Sequence, residues 1–136
     1  MILNQKEAMQ LSPLQLAYIG DAVYELLIRK EALASGCGMQ ALHQKTTSFV
    51  CAAGQARTLE SIMSSLTATE IDLVKRGRNA HAKHSPPRSA SCAEYAAATG
   101  FEALIGYLHL TGNNERMAEL LDMILKNNSL QEKERA

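Results

Sequence analysis

Leu14-Gln-Leu-Ala-Tyr-Ile-Gly-Asp-Ala-Val-Tyr-Glu-Leu-Leu-Ile28 is the stretch that decides how this chain folds. Wound at 3.6 residues per turn it is apolar on nearly every face, which predicts a central, largely buried helix. Ser12-Pro13 supplies its start, with Ser as N-cap and Pro at the first helical position, where a missing N–H costs nothing. Gly36-Cys37-Gly38 stops it, so the helix is predicted from Ser12 to about Leu33. Working outward, helices fit Gln40 to about Ala53 and Gln55 to Leu66. Thr67-Ala-Thr-Glu70 has capping-box spacing and opens a short helix toward Arg76. Gly77 to Ser91, with its Asn, Pro-Pro and Ser, reads as a loop. Ala93 to Leu110 is a long apolar helix ended by Thr111-Gly112-Asn113. Asn114 caps a last helix to about Lys126, and the polar tail from Asn127 is predicted to fray. No alternating strand pattern and no repeat interrupts this series. The predicted fold class is all-α.

The chain has 136 residues, 46% of them apolar and only 4% aromatic, so one aliphatic core is expected over 1–136. No stretch approaches the roughly 18 uncharged apolar residues that a bilayer span needs. The opening Met-Ile-Leu-Asn-Gln-Lys-Glu lacks the basic-then-apolar order of a secretory signal. Cys37, Cys51 and Cys92 are odd in number and unpaired in spacing, which points away from a disulfide framework or zinc finger and toward a cytoplasmic protein. His81, His84 and Cys92 match no usual zinc spacing, and His43 and His109 are lone histidines on helices.

Lys+Arg and Asp+Glu balance at 14 each, but the charge is unevenly placed. Between Asp72 and Glu94 there is no acid, while Lys75, Arg76, Arg78, Lys83 and Arg88 all fall there. Two readings fit such a strip: a contact for an anionic partner, or a solvated loop. Lys45 and Arg57 lie on other helices and read more simply as surface.

Two carboxylates stand out from their surroundings. Asp21 is set in the apolar stretch quoted above, and Glu102 carries the only formal charge between Glu94 and Glu115. A lone buried carboxylate costs several kcal/mol unless a cation or hydrogen bonds compensate it. Neither acid has a Lys or Arg three or four residues away. Each must therefore meet a distant cation of the fold or a bound metal. If the two helices cross, Asp21 and Glu102 converge, with Glu25 one turn from Asp21 on the same face. Oxygen-only ligands of this kind suit Mg²⁺.

Leu16-Ala-Tyr-Ile-Gly-Asp-Ala-Val-Tyr-Glu25 resembles the signature helix of the ribonuclease III family around its Gly-Asp-(Ala/Ser) core. Phe101-Glu-Ala-Leu-Ile-Gly106 resembles that family's second acidic motif. With Val74-Lys-Arg-Gly-Arg-Asn-Ala80 between them and a short chain, the likeness runs from about Ser12 to Leu125. It is to the Mini-ribonuclease III branch, which has a catalytic domain without the separate double-stranded-RNA-binding domain. The resemblance implies a ribonuclease III endonuclease-domain-like helical bundle and a homodimeric, Mg²⁺-dependent endonuclease for double-stranded RNA, with Mn²⁺ as a substitute metal.

Within that resemblance Asp21 and Glu102 match the metal-binding, catalytic carboxylates. Tyr18 matches an aromatic that contacts the partner across the two-fold interface. Lys75, Arg76, Arg78, Lys83 and Arg88 would then track RNA phosphates. Two further family carboxylates are absent, their positions being Ala17 and Thr99. One metal, more coordinated water, or Glu25 as an extra ligand would fill that gap. The implied substrate is precursor ribosomal RNA of the large subunit, with ribosomal proteins on it as further partners and no membrane association. The competing class is a non-catalytic ribonuclease III-like module that binds duplex RNA or acts as a scaffold. A small helical protein-interaction domain would require the motif match to be coincidence.

Overall fold

The computed structural model describes residues 1–81 and 91–135. Among these residues every regular element is helical: α1 (Gln5–Gln10), α2 (Pro13–Ala34), α3 (Met39–Val50), α4 (Ala52–Ile62) with a 3₁₀ turn at Met63–Ser65, α5 (Ala68–His81), α6 (Cys92–Leu110) and α7 (Asn114–Arg135). The helix starts follow local chemistry. Ser12 Oγ accepts from the Gln15 N–H at 3.1 Å while Gln15 Oε1 accepts from the Ser12 N–H at 2.9 Å. Thr67 and Glu70 form the same reciprocal box at 2.9 and 3.2 Å. Ser91 caps α6. Gly36 and Gly112 stop α2 and α6 with φ of 75° and 73°, a left-handed conformation that a side chain resists.

α6 is the axis of the bundle. It packs against α2, α5, α4 and α7, and from Ala97 to Leu110 nearly every residue is buried. Tyr24 of α2 meets Phe101 of α6 edge-on, with ring centroids 4.8 Å apart and planes at 87°. The expectation that α2 is the central helix is therefore corrected: α2 lies against one side of α6. Its outer face leaves Tyr18 80%, Leu33 68% and Leu26 56% exposed.

Four boundaries differ from the sequence pattern. α1 is an additional helix, closed by a box between Asn4 and Glu7. The α3–α4 break falls at Cys51, which is extended and whose Sγ accepts from the Gly54 N–H at 3.3 Å. α5 continues through Gly77 to His81, because Gly77 serves a close approach: a Cβ there would meet the Gly100 Cα of α6 at 2.6 Å. α7 continues past Lys126 to Arg135, and Asn127 Nδ2 donates to the Ser61 carbonyl at 3.2 Å.

Among the described residues the most buried ion pair joins α5 to α7. Arg116 donates from Nε and Nη2 to both oxygens of Glu70 at 2.9 Å, and from Nη2 to the Ser65 carbonyl at 2.8 Å. Burial alone would raise the Glu70 carboxyl, but the Arg116 and Thr67 hydrogen bonds hold it below its ordinary value. No described helix is long and apolar enough to cross a membrane.

Candidate active site

The site begins with two glycines. Gly20 of α2 lies on the Glu102 carbonyl of α6, and Gly106 of α6 lies on the Leu16 carbonyl of α2. A Cβ at either would overlap backbone rather than a side chain that could move aside. The two helices therefore cross with their main chains in contact. Asp21 and Glu102, each beside that crossing, are delivered to one open cleft of about 450 Å³. It is lined by Leu14, Ala17, Tyr18, Asp21, Tyr95, Thr99 and Glu102.

The electrostatics of the pair are asymmetric. Burial, then repulsion from Asp21, pushes the Glu102 carboxyl from its ordinary 4.5 up to about 8, against a stabilising contact from Gln55. Asp21 is raised too, by burial and then by Glu25. With its carboxyl at about 8, the more buried Glu102 carries its proton at neutral pH. A cation held between Asp21 and Glu102 would remove that repulsion.

Asp21 is exposed, not buried in the core as its apolar neighbours suggest, because it projects from the side of α2 that faces the cleft mouth. Glu25 follows one turn along α2, but its Oε1 accepts from Arg29 Nη2 at 3.3 Å and it does not line the cleft. Ala17 and Thr99 do line it. The Thr99 hydroxyl donates to the Tyr95 carbonyl at 3.0 Å. Among the described residues no three His, Cys, Asp or Glu side chains cluster as metal ligands. The donor set is thus two carboxylates opening on solvent, which fits a hard cation that keeps most of its waters.

The basic strip divides. Lys75 and Arg78 are exposed on α5, with the Arg78 stem beside Gly100 of α6. Arg76 is half-buried, its Nη1 donating to Met9 Sδ of α1 at 3.3 Å, so it also holds α1 in place. Lys83 and Arg88, with His84, lie outside the described residues. Lys45 donates to Ser35 Oγ at 3.2 Å and Arg57 to the Ser48 carbonyl at 3.4 Å. Tyr18 stands out from α2 between the acidic cleft and a second, apolar hollow of about 370 Å³ lined by Met1, Leu11, Leu14, Gln15, Ile19 and Leu110.

Sequence reasoning missed Gln55 and Tyr95. Gln55 is 1% exposed on α4 and faces Glu102. Its signal is legible afterwards: Gln55, Leu59 and Ile62 stand at i, i+4 and i+7, so the amide lies on the apolar stripe of its helix. Tyr95 sits four positions before Thr99 and seven before Glu102, on the cleft face of α6.

The family model described as the Ribonuclease III domain matches residues 14–113. A Mini-ribonuclease 3 from Symbiobacterium thermophilum is 50% identical over 112 residues, covering 82% of this chain and 85% of that one. Another from a Thermoanaerobacter species is 41% identical, covering 90% and 86%. A crystal structure of a Fusobacterium nucleatum protein superposes with a TM-score of 0.79 at 31% identity, over 88% of this chain and 95% of that one. With both acidic motifs meeting in one cleft on an all-α bundle, the chain belongs to the ribonuclease III family, in its Mini-ribonuclease III branch, and is an endoribonuclease.

Proposed function

We propose that Asp21 and Glu102 hold Mg²⁺, or Mn²⁺ in its place, for hydrolysis of double-stranded RNA. The observation that carries this reading is the delivery of both carboxylates to one cleft by the Gly20–Gly106 crossing. A cation held there supplies charge neutralisation at a phosphate and an acidified water. The chain's own residues hold the two oxygen donors on two helices packed backbone to backbone. They also keep room at the mouth for a phosphodiester and water, where Ala17 and Thr99 replace further acids. Glu25, paired with Arg29, acts through its charge on Asp21 rather than as a ligand. Lys75 and Arg78, with Lys83 and Arg88, contact the RNA backbone.

The working unit is a homodimer. Tyr18, 80% exposed, lies beside the apolar hollow on the same face of α2. A second copy turned by a two-fold axis would cover both and set two acidic clefts on one side, one for each RNA strand. The substrate is precursor ribosomal RNA of the large subunit, met in the cytoplasm. Sequencing RNA ends in cells with and without the protein tests that choice.

Asp21→Asn tests the chemistry. Cleavage of a plain RNA duplex in Mg²⁺ should fall by at least about a hundredfold. Dimer mass and helix content should stay unchanged. Near-normal turnover would overturn the assignment.

A further inference from the structure

Gln55 is an expensive residue where it stands. It is 1% exposed on the buried stripe of α4, in line with Leu59 and Ile62, which are both fully buried. Among the described residues its Oε1 finds no hydrogen-bond partner. An unsatisfied buried carbonyl costs about 1–3 kcal/mol, and a leucine or methionine would fill the same space without that penalty. The other end of the amide is anchored. Nε2 donates to the Val50 carbonyl at 3.0 Å, at the break between α3 and α4. A carbonyl only accepts, so this bond fixes which end of the amide is nitrogen. The second N–H of the same nitrogen is left for the carboxylate of Glu102, which the Gln55 side chain faces from α4. α4 and α6 pack directly together, so the contact is carried by two rigid helices.

We propose that Gln55 is a positioning residue: its carboxamide, anchored on the Val50 carbonyl, holds the Glu102 carboxylate in the orientation that receives the divalent cation. This rests on the reading of Asp21 and Glu102 as the metal carboxylates. The unpaired Oε1 is then the consequence of directing both N–H groups to fixed acceptors. A residue behind a metal ligand orients it and is felt in metal affinity before it is felt in the fold.

The test is direct Mn²⁺ binding by the dimer, read from the electron paramagnetic resonance signal of free Mn²⁺. Gln55→Met should lower affinity about tenfold with helix content unchanged. In a Glu102→Gln background the same substitution should lower it further by less than about twofold, because the carboxylate it positions is gone. Wild-type affinity in Gln55→Met, or an undiminished tenfold loss in the Glu102→Gln background, would overturn the proposal. If Gln55→Met does not fold, the side-chain amide resonance of Gln55 in the wild-type protein gives a second readout. Mg²⁺ should shift it in the wild type and not in Glu102→Gln, and an unmoved resonance in the wild type overturns the proposal. Unchanged Mn²⁺ affinity in Glu102→Gln alone would instead remove the metal reading on which it rests.

Discussion

Replacing Glu102 by Gln should make the metal-free protein more stable, by an amount that grows with pH. In the folded chain the Glu102 carboxyl titrates at about 8, because burial disfavours its charge and Asp21 repels it. In the unfolded chain it returns to its ordinary 4.5. Below 4.5 both states carry the proton and the group is neutral toward stability. Between 4.5 and about 8 the unfolded chain ionises while the folded chain keeps its proton, so stability falls as pH rises; above about 8 the loss is complete. At about 1.36 kcal/mol per pH unit, the whole interval sets a ceiling of about 5 kcal/mol. Water at the cleft mouth screens the carboxylate, which brings the expected figure to about 2–3 kcal/mol. For a chain of this length that corresponds to a Tm gain of about 10 °C at pH 9, and of about 2 °C or less at pH 5. The assay is thermal unfolding of wild type and Glu102→Gln in EDTA at both pH values. Equal Tm differences at pH 5 and pH 9, or a less stable variant at pH 9, would refute the account of Glu102 as a carboxylate strained by burial and by Asp21.

Gly106→Ala should separate α2 from α6, costing more than about 3 kcal/mol by thermal or urea unfolding and abolishing cleavage, since a Cβ there meets the Leu16 backbone. Arg116→Met strands the buried Glu70 carboxylate and should cost about 3 kcal/mol at pH 7. That difference should shrink as pH falls below the ordinary 4.5 and Glu70, held low in the folded state, takes up its proton. Replacing Lys75 and Arg78 with Ala should flatten the salt dependence of duplex-RNA affinity, by about one unit of log–log slope for each phosphate that is no longer neutralised, read by a binding titration from low to moderate salt. Tyr18→Lys should yield monomers in sedimentation and abolish double-strand cutting, although both carboxylates remain.

Much of the fold is written in local signals. The reciprocal caps at Ser12 and Thr67, the stops at Gly36 and Gly112, and the apolar length of α6 each depend on neighbours within a few residues. That is why a single chain displays them. Boundaries went astray where a residue served a remote partner. Gly77 looked like a loop opening, yet it remains inside α5 to admit Gly100 of α6. α1 is short, and its anchorage on Arg76 comes from 67 positions away.

The two acids were conspicuous in the sequence because each is a lone charge in an apolar helix, and their family motifs named them. Tertiary structure alone decided what kind of acids they are. Apolar neighbours said that Asp21 is buried; the crossing of α2 over α6 puts it at a cleft mouth and sends the burden of burial to Glu102. The acid that does lie in an ion pair deep in the fold is Glu70, with a partner 46 residues later. Gln55 joined the site through α4, with no motif to mark it. Helix period and capping are short-range, so composition along the chain records them. Charge state, burial and the company of a side chain depend on which helices touch, and that was settled by two glycines whose missing Cβ atoms let backbones meet.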